Sequence, residues 1–186
     1  MNNMNMISSG MISRYSLVFL LIVSIAACKD DEDPAKKKEP GISEVTLNGG
    51  PYTNLTAKSI TDEPAVATYS PTDDLTSVVY TAMANGKEFY VVLAFPGSGK
   101  GQHAWDEDNC FVQTWEDYDD INAAVTATYY DEDGEVHTGT VKIDNYGAVG
   151  GVITGSFEGD ATFIDTSCNC MDSGTMKGTF SAVRLN

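Results

Sequence analysis

The dipeptide Asn85-Gly86, in the middle of "LTSVVYTAMANGKEFYVVLAF" (residues 75–95), constrains this chain more than any other feature. A two-residue type I′ turn needs φ > 0 at both central positions, and Asn-Gly supplies this with least strain. The flanking residues are β-branched, aromatic or small, so the stretch predicts an antiparallel hairpin. Near the middle, Val78, Val79 and Tyr80 in one strand face Val91, Val92 and Leu93 in the other. Consecutive apolar residues imply cover on both faces. The hairpin is therefore expected at the centre of a sheet, shielded on both sides.

The rest of the chain from residue 42 onward repeats this pattern of short strands and turn signals. No long window carries a helical period. A second hairpin is predicted in "INAAVTATYYDEDGEVHTGTVKI", residues 121–143. A three-residue loop, Glu132 to Gly134, would place Val125 opposite Val141 and Ala123 opposite Ile143. That register keeps apolar residues on one face and asks for Gly134 in the left-handed conformation. Two further strands carry Gly155-Ser156-Phe157 and Gly178-Thr179-Phe180, where glycine marks a bulge or a close backbone approach. About ten strands between residues 42 and 186 predict an all-β domain, a single antiparallel β-sandwich, with a β-barrel as the alternative.

Several motifs invite a chemical reading and fail on spacing. "VVLAFPGSGKGQHAW" (91–105) has the look of a strand entering a phosphate loop. With Gly99-Lys100 as the Gly-Lys pair, the pattern requires glycine at 94 and a hydroxyl at 101; these are Ala94 and Gly101. Acidic residues follow, so no nucleotide is expected. Asp131-Glu132-Asp133-Gly134 lacks the EF-hand glycine at its sixth position. No Gly-x-Ser-x-Gly elbow is present. Two carboxylates would suffice for a glycosidase, but the Glu-x-Asp-x-x-Glu pattern of many jelly-roll glycosidases is absent. The chain is read as not an enzyme, with a small hydrolase the weakest alternative.

One segment does invite a ligand. From Asp106 to Asp120 there are seven carboxylates, among them Asp106 and Asp108, with Trp115 and Tyr118 in the stretch and Trp105 beside it. Aromatic faces flanked by acids suit a glycan: the ring covers the apolar face of a sugar and the acids accept its hydroxyls. Carboxylates in a loop could instead hold Ca²⁺, or the tryptophans could cap the core and the acids be solvated. No other cofactor or metal is expected, because His103 with the cysteines lacks the paired Cys-x₂-Cys spacing of zinc sites. Of Cys110, Cys168 and Cys170, the expected disulfide joins Cys110 to one of the other two, since Cys-Asn-Cys is tight for a bridge of its own. The formal charge of −16 excludes nucleic acid as a partner.

The N-terminus reads as an export signal. "SLVFLLIVSIAAC" holds an apolar run too short to span a bilayer but suited to a secretory signal. Ile25-Ala26-Ala27-Cys28 resembles the lipobox of bacterial lipoproteins. That resemblance implies cleavage of residues 1–27 and lipid on the thiol of Cys28, a palmitate-type anchor. Residues 28–41 then form a tether of charged residues and proline with nothing to pack, ahead of the 42–186 domain. Lys29-Asp30-Asp31-Glu32 resembles the acidic export tag of lipoproteins in gut and oral Gram-negative bacteria, which implies display on the outer face of the outer membrane, toward the cell exterior. "YGAVGGVITGSF" and "GTFSAVRL" resemble the C-terminal half of β-rich lipoproteins of that group. The resulting expectation is a lipid-anchored surface binding or adhesion module, for glycan, with a structural or accessory subunit of an envelope complex as the alternative.

Overall fold

The computed structural model describes residues 40–116, 125–131 and 133–186. They form eleven strands and, among the described residues, no helix. In chain order these are β1 (Glu44–Gly49), β2 (Tyr52–Ser59), β3 (Val66–Ser70), β4 (Leu75–Ala84), β5 (Lys87–Pro96), β6 (Gly101–Ala104), β7 (Phe111–Glu116), β8 (Val125–Thr128), β9 (Gly139–Asn145), β10 (Val152–Asp165) and β11 (Cys170–Arg184). The expected signal, Cys28 and most of the tether lie outside the described residues.

Eight strands close a ring. β1, β2, β4, β5, β7, β8, β10 and β11 pair in that order, β11 returns to β1, and every pairing is antiparallel. The order around the barrel is the order along the chain, so the ring is an up-and-down meander. The other three strands occupy the connections between successive hairpins. β3 lies against β4 and makes a short parallel contact with β11. β9 runs along the first half of β10, and β6 pairs with β9. Of the two architectures expected from the sequence, the closed barrel is the one built. The reason is the length of β10 and β11, 14 and 15 residues. β10 pairs with β9 and then with β8, and β11 pairs with β1 and, over two residues, with β3, so the long hairpin joins β8 to β1 and closes the ring.

The Asn85-Gly86 turn forms as its residues require, with φ of 52° and 78°, and Ala84 faces Lys87. The hairpin is central, with β2 and β3 beyond β4 and β7 beyond β5. The expected cover on both faces is corrected. Thr76, Val78, Tyr80 and Ala82 are buried, while Ser77, Val79 and Thr81 are half-buried. A barrel has one inside, so alternate residues must face out; Val79 and Val92 are shielded there by their cross-strand neighbours.

The second hairpin is right at its tip and wrong below it. Tyr130 bridges Val136, the Asp131 amide donates to Glu135 O at 2.9 Å, and Gly134 has φ 85°. Glu132 and Ala123 lie outside the described residues. Below the tip, however, Val125 faces Asp165, not Val141. β10 enters between the two strands, and a 14-residue partner offers a longer ladder than β8 and β9 can offer each other. His137 Nε2 and Thr162 Oγ1, 2.9 Å apart, mark the fork.

The interior is packed by rings laid over glycine. In the β10–β11 ladder Gly155 faces Phe180 and Gly178 faces Phe157. A Cβ at Gly155 would stand 2.5 Å from Phe180 Cζ, and one at Gly178 would stand 2.5 Å from Phe157 Cζ. Each Gly-[Ser/Thr]-Phe thus supplies the ring that fills the other's gap. Both phenylalanines are buried.

A candidate binding face

The acidic tryptophan segment leaves β6, turns, and becomes β7. Trp105 comes first. Its amide donates to Gly139 O at 3.0 Å, and the residue is only 6% exposed. Gly139 and Gly159 face each other in the ladder, and the indole lies on both; a Cβ at either would come within 2.5 Å of ring carbons. Trp105 is therefore a core ring and cannot take a sugar. Its Nε1–H is buried without a hydrogen-bond partner among the described residues.

Asp106 is likewise occupied. Its Oδ1 accepts the backbone amides of Asp108 at 2.9 Å, Asn109 at 2.5 Å and Cys110 at 3.3 Å. A short acidic side chain serving the amides that follow it is a turn device, and here it starts β7. Asp108 is exposed. Tyr118, with Asp117, Asp119 and Asp120, lies outside the described residues.

Along β7 the side chains alternate. Val112, Thr114 and Glu116 are buried; Phe111, Gln113 and Trp115 face out, half-buried. Glu116, 3% exposed, accepts hydrogen bonds from the Tyr52 hydroxyl and the Lys87 ammonium. A buried carboxylate needs such partners, so this acid holds one end of the barrel together. Trp115 takes the opposite side. It faces Tyr90 on β5 and Thr126 on β8, with the Tyr90 and Trp115 ring centroids 6.2 Å apart at 47°. The cross-strand row continues from Thr81 through Tyr90, Trp115, Thr126 and Ile164 to Met171. It is a strip of aromatic and apolar side chains with Thr81 at one end, Thr126 within it and Met171 at the other.

The predicted ligand loop is thus divided. Trp105 and Asp106 build the fold, Asp108 points to solvent, and Trp115 alone of the described set joins an outward aromatic surface. The Asn85-Gly86 turn sets its partner Tyr90 opposite Thr81, and the alternation of burial along β5, with Phe89 and Val91 buried and Tyr90 half-buried, puts Tyr90 on the outer side. Beyond β8, on the outer face of β9, β10, β11 and β1, lies a polar groove of about 320 Å³ lined by Glu44, Lys142, Ser156, Glu158, Lys177 and Thr179, among others. Lys142 there is paired with Asp144 at 2.8 Å, which holds its ammonium above the usual lysine range.

No group of three His, Cys, Asp or Glu among the described residues could hold a metal ion. The "PGSGKG" stretch is a strand-to-strand turn. Gly97, φ 81°, donates to Asp74 O at 2.7 Å, and β6 follows where a phosphate loop would need a helix. The expected disulfide is corrected as well. Cys168 and Cys170 are bonded to each other, with Cα atoms 5.2 Å apart, inside the usual range for a bridge. Asn169 between them takes φ 52°, so the chain turns and brings its neighbours together as an extended strand would not. Cys110 precedes β7 and is buried and free, toward the end of the barrel opposite the β10–β11 turn. Burial first, and then the Asp106 charge, push its thiol up to about 12.

Fold and surface together define a class: a closed eight-stranded antiparallel meander with three added strands, mainly apolar within, and bearing an outward aromatic strip among the described residues. Comparison with protein-family models, with curated proteins and with solved structures gives no match to this chain, and the functional reading rests on the residues themselves.

Proposed function

We propose that this chain is a lipid-anchored, outward-facing binding or adhesion module that performs no catalysis and takes glycan on the Tyr90–Trp115 face. The observation that carries the reading is the placement of these two rings side by side on the outer surface, with Thr81 and Thr126 flanking them in register. Tyr and Trp combine a broad apolar face with a polar edge, the combination a sugar ring presents in return. Paired strands fix the positions of both residues, so little backbone ordering is needed on binding. A glycan array with residues 42–186, followed by titration of any hit, tests this. Trp115→Ala should remove binding while leaving the barrel folded, with a smaller drop in melting midpoint than Trp105→Ala. Silence across the array, or affinity indifferent to both Trp115→Ala and Tyr90→Ala, would reject the glycan reading. The anchor rests on Ile25-Ala26-Ala27-Cys28 and is tested apart from the ligand: labelled palmitate should enter the wild type and not Cys28→Ser. Protease added to intact cells should remove the domain, and full protection would contradict outward display.

A further inference from the structure

The turn from β10 to β11 carries the disulfide Cys168–Cys170, with a single residue between its members. We propose that this pair is a thiol–disulfide exchange site, reduced and reoxidised on the folded barrel by a dithiol partner. Both cysteines are exposed, and exchange requires that an incoming thiolate reach the sulfur it attacks. The bond is also not what holds the turn. β10 and β11 pair without a break from Val152 opposite Val183 to Asp165 opposite Cys170. The Asp165 carboxylate accepts the Ser167 amide at 2.9 Å and its hydroxyl at 2.5 Å. None of these contacts depends on the state of the sulfurs. A disulfide that closes so short a loop removes little entropy from the unfolded chain, so its loss leaves the barrel nearly as stable as before. Cys110 has the opposite character. It is buried with its thiol pushed up to about 12, so it neither attacks the pair nor competes with it.

The exchange balances with the partner's two thiols. One partner thiolate attacks one sulfur of the pair and forms a mixed disulfide; the other sulfur leaves as thiolate and takes a proton from water. The second partner thiol, deprotonated, then attacks the mixed disulfide. It frees the second cysteine, and the partner departs as a disulfide. Two electrons pass from the dithiol to the pair. Reoxidation is the reverse, and the nearness of the second cysteine makes any mixed disulfide on this chain short-lived.

The test uses the full chain without denaturant, treated with dithiothreitol, alkylated, and mapped by peptide so that Cys28 is counted separately. The expected result is label on Cys168 and Cys170, none on Cys110, and a melting midpoint moved by less than about 2 °C. Oxidised dithiothreitol should then restore the bond. Cys170→Ser treated with oxidised glutathione should hold a mixed disulfide on Cys168 that the wild type does not retain. The proposal is overturned if label enters Cys168 and Cys170 only after the barrel unfolds. It is also overturned if Cys170→Ser captures no glutathione, or if Cys168→Ser with Cys170→Ser lowers the midpoint by more than about 5 °C, the behaviour of a structural staple.

Discussion

Trp105 and Trp115 belong to one acidic stretch and meet opposite fates. Trp105 lies flat on a pair of glycines inside the barrel, 6% exposed. Trp115 stands on the outer face beside Tyr90. Composition treats the two as equivalent; strand parity does not. β7 begins at Phe111, and from there every second residue faces out, which sends Trp115 outward and Glu116 inward. Trp105 precedes that strand and is placed by β6 and by the gap over Gly139 and Gly159. A ring is a binding element only where a strand holds it against water, and the same ring over a missing side chain is core.

The difference can be broken from the inside first. Trp105→Ala should cost about 3–5 kcal/mol, the range for removing a large buried ring, read as a lower denaturant midpoint. Filling the floor beneath it should act the same way to a smaller degree: Gly159→Ala drives a methyl into the indole and should cost about 1–3 kcal/mol by overpacking. Glu116 tests the inward end of β7. Glu116→Ala strands the buried Tyr52 hydroxyl and should cost about 1–3 kcal/mol. Glu116→Gln keeps an acceptor for Tyr52 and should recover part of the loss. Trp115→Ala is the contrast. It should cost less stability than Trp105→Ala, yet weaken glycan binding tenfold or more in a titration.

The smallest effect concerns the β10–β11 turn and pH. Hydrogen bonds from the Ser167 side chain and backbone hold the Asp165 carboxyl below its ordinary range. A group whose folded value is depressed lends stability above its unfolded value, near 4, and loses it as pH falls through the folded one. Hydrogen exchange at the Ser167 amide should therefore quicken, relative to neighbouring strand amides, as the solution is taken below about pH 4, and Asp165→Asn should abolish that acid dependence.

Much of the fold is legible in local sequence because local sequence decides it. Asn85-Gly86 sets its own turn and its own register, and Gly134 likewise. The failure of Ala94 and Gly101 to match a phosphate loop is visible without a structure, and the turn into β6 agrees. The distinction between sandwich and barrel is not local. It depends on which neighbours β10 and β11 take beyond each other, and the two architectures share one pattern of strands. The forked β8–β9 hairpin failed for the same reason: its tip obeyed the turn, while a longer strand captured its arms. The reciprocal seating of Phe157 over Gly178 and Phe180 over Gly155 was half visible as a repeated tripeptide, but its meaning needed the register of two strands. At the candidate site, the turn ahead of Tyr90 gives its register against Thr81 but not its face, because Val91 and Val92 are apolar on both sides of the strand. The place of Trp105 is set by glycines more than thirty residues further along the chain.

Two single-tryptophan proteins test the central claim most directly. Trp105→Phe keeps Trp115, and Trp115→Phe keeps Trp105. Their fluorescence is followed while a glycan selected on the array is added. Emission should change on binding only in the protein that retains Trp115, and that protein alone should keep wild-type affinity. A response from Trp105 with Trp115 absent, at undiminished affinity, would contradict the assignment of the outer face as the binding surface.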